Sequence, residues 1–184
     1  GASGSLLAPT TLENAVFFEN SGTLTLGSTS GVALTLLVAS EVRNMPGATI
    51  TIAGGNSRLY LDGSSQLLNN AGATLTINGN ATFGRATPAS NAAIVQNLGT
   101  MVVNGPGTLD MPLGGNFSTF RQYGDLTVNN ATIACSQAAV DKCSFRDANG
   151  EPAPAITRLN NAVLELGGAA VSYPLGDVTT LTAT

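Results

Sequence analysis

Apolar and polar residues alternate along this chain in short blocks that recur about every 25 residues. Each block places an apolar residue before an Asn, passes through a step that contains Gly, and continues into a strand of small polar and aliphatic residues. Asn20-Ser-Gly-Thr-Leu-Thr-Leu26 and Asn70-Ala-Gly-Ala-Thr-Leu-Thr-Ile-Asn78 are two examples. The first strand position falls at residues 23, 49, 74, 100, 125 and 163. A fixed period of this size indicates a solenoid.

A second strand signal follows the first in each repeat, and no helical period occurs. Two or three short strands in about 25 residues fit one turn of a coil, so the sequence predicts an all-β fold, a right-handed parallel β-helix of about six coils. Because side chains alternate along a strand, every second residue points into the core. The two predicted inward stacks are Leu24, Ile50, Leu75, Met101, Leu126 and Leu164, and Leu26, Ile52, Ile77, Val103, Val128 and Leu166.

An amide side chain precedes the Gly step in each repeat. The column comprises Asn20, Asn44, Asn70, Asn97 and Asn161, with Gln122 as its one Gln. Asn tolerates left-handed backbone geometry, and stacked Asn side chains can form a hydrogen-bonded ladder along a solenoid. We interpret the column as structural, and a row of ligand-binding amides is the functional alternative. Glu19 and Arg43 occupy equivalent positions on consecutive coils, which predicts a surface ion pair.

Outward-facing threonines form a second regular feature. Thr23 and Thr25, Thr49 and Thr51, and Thr74 and Thr76 predict a flat grid of two columns over three coils. The grid resembles the Thr-x-Thr arrays of β-solenoid ice-binding proteins. Val102, Asp125, Val163 and Glu165 interrupt it in the later coils. The alternative is that Thr is simply a favoured residue on the exposed face of a strand.

Composition narrows the possible chemistry. The 184 residues carry a net charge of −4 and contain no His. With a single Lys there is no basic stripe for nucleic acid, and no apolar segment reaches the roughly 18 residues of a membrane span. Without His, a Ser-His-Asp site and the common zinc sites cannot be built. We therefore expect no metal, no cofactor and no enzymatic activity, and the alternative is a carboxylate pair formed by Asp62 and Asp110.

Residues 134–156 interrupt the repeat and are predicted to form an insertion loop. Cys135 and Cys143 lie close together there, which predicts a disulfide and an oxidising compartment. Asp141, Lys142, Arg146 and Asp147 make the loop the predicted binding element, because insertions in solenoids often map to the binding face. A decorative or capping loop is the alternative. Residues 1–5 look like an expression scar, so the predicted domain is a single β-helix over residues 6–184.

The repeats from about Val16 to Tyr173 resemble those of bacterial surface β-helices, namely autotransporter passenger domains and filamentous-haemagglutinin-type adhesins. The resemblance implies an exported, cell-surface or secreted stalk or adhesin that attaches to host cells or neighbouring bacteria, with a glycan as one expected partner. A carbohydrate-active tailspike or lyase and an ice-binding solenoid are the two alternative functions. Neither a nucleic-acid partner nor a membrane span is expected, because the chain has no basic stripe and no long apolar segment.

Overall fold

Short alternating segments of this chain form parallel strands that stack coil upon coil. This is seen in a computed structural model, which describes residues 2–12, 14–27, 33–36, 39–61, 64–85, 94–110, 119–135, 143–144, 157–160 and 163–166. For residues 33, 83–85, 110, 119–120, 134–135 and all those from 143 onward, the description covers the backbone only. Within these ranges the chain is all-β and contains no helix.

Eighteen strands are present in the described part of the chain. They are β1 (Ser3–Leu6), β2 (Thr10–Leu12), β3 (Phe17–Asn20), β4 (Thr23–Leu26), β5 (Ala33–Leu36), β6 (Glu41–Asn44), β7 (Thr49–Ile52), β8 (Ser57–Leu61), β9 (Gln66–Asn69), β10 (Thr74–Asn78), β11 (Ala81–Arg85), β12 (Ile94–Asn97), β13 (Thr100–Asp110), β14 (Thr119–Gln122), β15 (Asp125–Cys135), β16 (Cys143–Ser144), β17 (Thr157–Asn160) and β18 (Val163–Leu166).

The strands form two parallel sheets. A six-stranded sheet has the order β16-β14-β12-β9-β6-β3, and a twelve-stranded sheet has a main path of β1-β4-β7-β10-β13-β11-β8-β5-β2. Strands adjacent in each sheet belong to consecutive coils, because each strand pairs with the strand one repeat later. The predicted β-solenoid is therefore confirmed. The described strands make about four turns, so the count of six coils stays a prediction.

Stacked aliphatic side chains fill the interior. Leu24, Ile50, Leu75, Met101 and Leu126 lie in register on successive strands and are all buried, as predicted. The second predicted stack, from Leu26 to Val128, is buried in the same way. The other two sides of the coil add their own buried members, among them Leu34, Leu59, Val42, Leu67 and Val95. Each coil thus closes a section of one continuous core.

The turn between the six-stranded sheet and the next strand exists in two lengths. After Asn44 and Asn69 it has four residues, with Gly47 and Gly72 each at a φ of +79°, a conformation that Gly adopts without strain. After Asn20, Asn97 and Gln122 it has two residues. In the short turns Gly is needed for space, since a Cβ on Gly99 would overlap the carbonyl oxygens of Asn70 and Ala73.

The last predicted repeat does not continue the register of the earlier repeats. β17 pairs with the first half of β15, which places Leu159 beside Val128, and β18 pairs with the second half, which places Leu164 beside Ile133. The prediction that Leu164 and Leu166 continue the stacks of Leu126 and Val128 is therefore wrong. Thr157 lies 31 positions after its register partner Leu126, whereas Leu126 lies 25 positions after Met101. Because this connection is longer, the strand that pairs beside Leu126 and Val128 is β17 and not the predicted β18.

The solenoid also includes residues that precede the predicted domain start at residue 6. Ser3–Leu6 forms β1 and pairs in parallel with β4, so that Ser3 lies beside Thr23 and Leu6 beside Leu26. The amide of Thr23 donates to the carbonyl of Ala2 at 3.0 Å, as the amide of Thr49 does to Gly22. Residues 3–6 therefore belong structurally to the solenoid rather than lying outside it.

The predicted insertion over residues 134–156 is not one continuous loop. Its first two residues end β15, and Cys143–Ser144 forms β16 beside Phe120 and Arg121. Part of the stretch is therefore a regular member of the six-stranded sheet. The side chains of Cys135 and Cys143 are not among those described, so the disulfide stays a prediction. Asp141, Lys142, Arg146 and Asp147 lie outside the described residues.

Replacing Gly99 by Ala is expected to lower the free energy of unfolding by about 1–3 kcal/mol, because the added methyl group must push two consecutive coils apart. Gly4→Ala is the matched control, since a Cβ there meets nothing within 4 Å. Urea unfolding followed by circular dichroism measures both. Equal stability of the two variants would contradict the close approach of coils at Gly99.

Candidate functional site

A ladder of buried amide side chains runs along one corner of the solenoid. Its members are the last residues of β3, β6, β9, β12 and β14, namely Asn20, Asn44, Asn69, Asn97 and Gln122. The Nδ2 atom of each Asn donates to the amide oxygen of the next member. The four distances are 2.8, 2.8, 2.6 and 3.2 Å in chain order. All donors therefore point toward later coils.

Each of the four Asn side chains of the ladder also holds the main chain of the next coil. Asn20 Nδ2 donates to the carbonyl of Thr49 at 2.9 Å, and Asn44 Nδ2 donates to Thr74 at 2.8 Å. Asn69 and Asn97 repeat the arrangement with Thr100 and Asp125 at 3.0 and 3.1 Å. A single amide group thus connects two coils through a side chain and a carbonyl, which fixes their register.

The column member in the third repeat is Asn69, not the predicted Asn70. Asn69 lies in register with both Asn44 and Asn97. Asn70 is half-buried one residue further on, and its Nδ2 contacts the sulfur of Met45 at 3.8 Å. The prediction of Asn70 rests on the two-residue Asn–Gly spacing, which holds only for the short turns. The Asn44–Gly47 spacing of three residues is the signal that identifies Asn69.

Burial decides between the two interpretations of this column. Asn20 is 6% exposed, and the other four members of the ladder are 0–1% exposed. Their hydrogen-bonding groups are engaged by neighbouring coils, so a ligand has no access to a row of amides here. For the described members, burial and hydrogen bonding therefore favour the structural interpretation. Asn161 lies outside the described residues, and the register places Asn160 beside Asn129 of β15.

A second amide ladder was not predicted. Asn104 Nδ2 donates to Asn78 Oδ1 at 3.0 Å, and Asn129 Nδ2 donates to Asn104 Oδ1 at 2.9 Å. These three side chains are half-buried and follow the inward residues Ile77, Val103 and Val128. Here the donors point toward earlier coils, opposite to the first ladder. The 25-residue recurrence of Asn after the inward aliphatic residue is the sequence signal for it.

A charged cluster lies on the outer face of the six-stranded sheet, around Arg43. Arg43 Nη1 lies 3.6 Å from Glu19 Oε1, as the predicted ion pair requires. Its Nε donates to Glu41, a hydrogen bond that raises the pKa of Arg43. The guanidinium carbon also lies 5.3 Å from the centre of the Phe17 ring, within the range of a cation–π contact. The cluster joins the first two coils, and at least two of its side chains are substantially solvent-exposed.

The outer face of the β1-β4-β7-β10-β13-β15 path carries two columns of hydroxyl groups. In the first column Ser3, Thr23, Thr49, Thr74 and Thr100 precede Asp125. In the second column Ser5, Thr25, Thr51 and Thr76 precede Val102 and Thr127. The coils are about 4.8 Å apart and the two columns about 6.7 Å apart. The grid is thus longer than the three predicted coils.

Of the predicted carboxylate pair, only Asp110 lies within the described residues. Asp110 pairs with Thr82, and Thr82 pairs with Arg58, so Asp110 lies in the column of Arg58 rather than at the end of β8. Asp62 lies outside the described residues, and only the backbone of Asp110 is described. Within the described ranges no three His, Cys, Asp or Glu residues are grouped to hold a metal ion. No helix in those ranges is long and apolar enough to cross a membrane.

Comparison with known proteins adds no further guide to the site. No family model, no curated protein and no solved structure matches this chain. The fold and its surfaces therefore carry the functional argument.

Replacing Asn69 by Leu is expected to lower the free energy of unfolding by about 2–4 kcal/mol, because Asn44 Nδ2, Asn97 Oδ1 and the carbonyl of Thr100 each lose a buried partner. Asn70→Leu, the adjacent control, is expected to cost less than about 1 kcal/mol. Chemical denaturation of both variants measures the difference. Equal losses would mean that Asn69 is not the ladder member.

Proposed function

We propose that this chain is a non-enzymatic, extracellular β-helix that serves as a stiff support and presents loops for attachment to a cell surface or glycan. The observation that carries the proposal is the buried amide ladder, which fixes the register of consecutive coils at every step from Asn20 to Gln122. Such a ladder stiffens the rod without forming a site for chemistry. A stiff rod is what a stalk or adhesin requires.

The surface of the described coils favours a structural role over a catalytic one. Its charged groups are few, and the main cluster, around Arg43, is engaged in its own ion pairs. Recognition is therefore assigned to the segment that departs from the repeat, with Asp141, Lys142, Arg146 and Asp147 as the contact residues. Within that segment, Cys143–Ser144 forms β16 and pairs with β14 of the six-stranded sheet.

Binding of the chain to a glycan array and to bacterial and epithelial cells tests the proposal. The informative variant replaces Asp141, Lys142, Arg146 and Asp147 by Ala and leaves Cys143–Ser144 intact, because deleting the whole stretch would remove β16. We expect binding to fall at least about tenfold, which corresponds to the loss of about 1.4 kcal/mol of binding free energy. The control replaces Arg58 and Asp125 by Ala, and we expect it to bind as the parent does.

Two outcomes would contradict this assignment. Equal binding by both variants would place recognition elsewhere on the solenoid. Absence of binding to every glycan and cell type by the parent chain would leave it as a spacer rather than an adhesive element.

The continuous hydroxyl grid favours a second candidate function, the ordering of water at an ice surface. Five hydroxyl-bearing residues in one column and four in the other stand in register on a parallel sheet. Regular spacing and the lack of charge before Asp125 are the properties that such a surface needs. This candidate requires no loop and no partner protein.

Thermal hysteresis measured by nanolitre osmometry tests the second candidate. The parent chain is expected to depress ice growth, and Thr51→Tyr, at the centre of the grid, is expected to abolish the effect by preventing a flat approach. Thr35→Tyr is the control, since Thr35 lies on the other path of the sheet beside Tyr60. Absence of hysteresis in the parent, or equal loss in both variants, would rule the candidate out.

A further inference from the structure

Asn–Gly steps occur at two points in the described part of the chain, and both lie in the second amide ladder. They are Asn78-Gly79 and Asn104-Gly105, which stand in register on consecutive coils. No member of the first ladder is followed by Gly. At such a step the nitrogen of Gly can attack the side-chain carbonyl carbon of Asn, because Gly carries no Cβ that hinders the approach. The second ladder therefore contains the side-chain amides that are most prone to this attack.

The reaction that follows such an attack is a deamidation. The Gly nitrogen forms a bond to Cγ of Asn and gives up its proton, the bond between Cγ and Nδ2 breaks, and Nδ2 leaves as ammonia. Water then opens the resulting cyclic imide at either of its carbonyl carbons and gives an aspartate or an isoaspartate residue. Water is the co-reactant, and no oxidant or reductant takes part. Each event exchanges a neutral amide for a carboxylate.

The two steps hold their side-chain amides differently. Asn104 is held at both ends, since its Nδ2 donates to Asn78 Oδ1 at 3.0 Å and its Oδ1 accepts from Asn129 Nδ2 at 2.9 Å. Asn78 is the terminal acceptor of the ladder, and its Nδ2 has no hydrogen-bond partner among the described residues. The ladder ends at this coil because Ala53, rather than an Asn, follows the register partner Ile52. The leaving nitrogen is thus engaged at Asn104 but not at Asn78.

The main chain also differs between the two steps. Asn78 ends β10, pairs with a described strand on one side only, and is followed by a corner of two residues, Gly79 and Asn80, before β11 begins. Asn104 lies within β13 and pairs with Asn78 on one side and Asn129 on the other. The nitrogen of Gly79 donates to the carbonyl of Asn104 at 2.7 Å, so this bond must open before Gly79 attacks. A short corner opens locally at lower cost than a strand that is paired on both sides.

We propose that Asn78 is a site of spontaneous deamidation in the folded chain and that the ladder protects Asn104 from the same reaction. The ladder accepts an aspartate at position 78, because its carboxylate still accepts from Asn104 Nδ2 and the hydrogen bond becomes charge-assisted. At position 104 the same change removes the donor to Asn78 Oδ1 and brings two acceptor oxygens together. The solenoid thus acquires a negative charge with age at a place where its register is preserved.

Incubation of the full 184-residue chain in mildly alkaline buffer over several weeks tests the proposal. Digestion with trypsin separates the two steps, since it cleaves after Arg58, Arg85 and Arg121. Mass spectrometry of the peptides, with enzymatic methylation of isoaspartate, measures deamidation at each step. We expect Asn78 to react at least about fivefold faster than Asn104, because an additional hydrogen bond must break at Asn104.

The chain unfolded in guanidinium chloride is the reference for intrinsic reactivity. Ile77 precedes one step and Val103 the other, so the local sequences are similar and we expect nearly equal rates there.

Two variants introduce the deamidated side chain directly. Asn78→Asp is expected to unfold at the same urea concentration as the parent, and Asn104→Asp at a lower one. Asn104→Asp is also expected to raise the rate at Asn78 at least about threefold, because Asn78 Oδ1 then loses its donor. The two rates in the parent chain do not depend on the folding of either variant.

Three outcomes would overturn the proposal. The first is a rate in the folded parent that is equal at the two steps or higher at Asn104, after each rate is divided by that of the unfolded chain. The second is an Asn78 that stays unmodified in the folded chain while it reacts in guanidinium chloride. The third is an equal loss of stability in Asn78→Asp and Asn104→Asp, since the ladder would then not accept a carboxylate at its end.

Discussion

The hydrogen bond between a buried amide and the coil that follows it is the interaction on which the rest of this structure depends. A coil of about 25 residues cannot bury its own aliphatic side chains on all sides, and it becomes stable only against its neighbours. The amide ladder ensures that neighbours meet in one register, since a shift by one residue would reverse the face of every side chain. The stack from Leu24 to Leu126 and the outer rows of hydroxyl groups are therefore consequences of the same alignment.

Much of the fold can be predicted from the sequence because the repeat carries its own register. The spacing of Thr23, Thr49, Thr74, Thr100 and Asp125 places β4, β7, β10, β13 and β15 correctly, and alternation then assigns the buried residues. Prediction fails where the repeat changes length. The four-residue turn after Asn69 moves the ladder member by one position, and the longer connection before β17 moves the last strands to a different side of the coil.

The candidate site was less predictable than the fold for a physical reason. A ladder amide and an adjacent turn amide are the same residue type. The hydrogen bonds of the neighbouring coil distinguish Asn69 from Asn70 directly, whereas the sequence offers only the three-residue spacing from Asn69 to Gly72. The surface of a solenoid depends on how its coils stack, so its composition is predicted better from the register of the strands than from local sequence motifs.

The opposite directions of the two amide ladders have an electrostatic consequence. Each side-chain amide carries a dipole, and aligned amides add head to tail, much as peptide units do in a helix. From Asn20 to Asn97 the positive ends point along the chain direction, whereas from Asn129 back to Asn78 they point against it. The dipoles of the two ladders therefore point in opposite directions. Both ladders hold consecutive coils together, but their combined electric field along the solenoid axis is weaker than that of one ladder alone. Further coils could therefore be added without a growing electrostatic cost of dipole charge at the two ends of the rod.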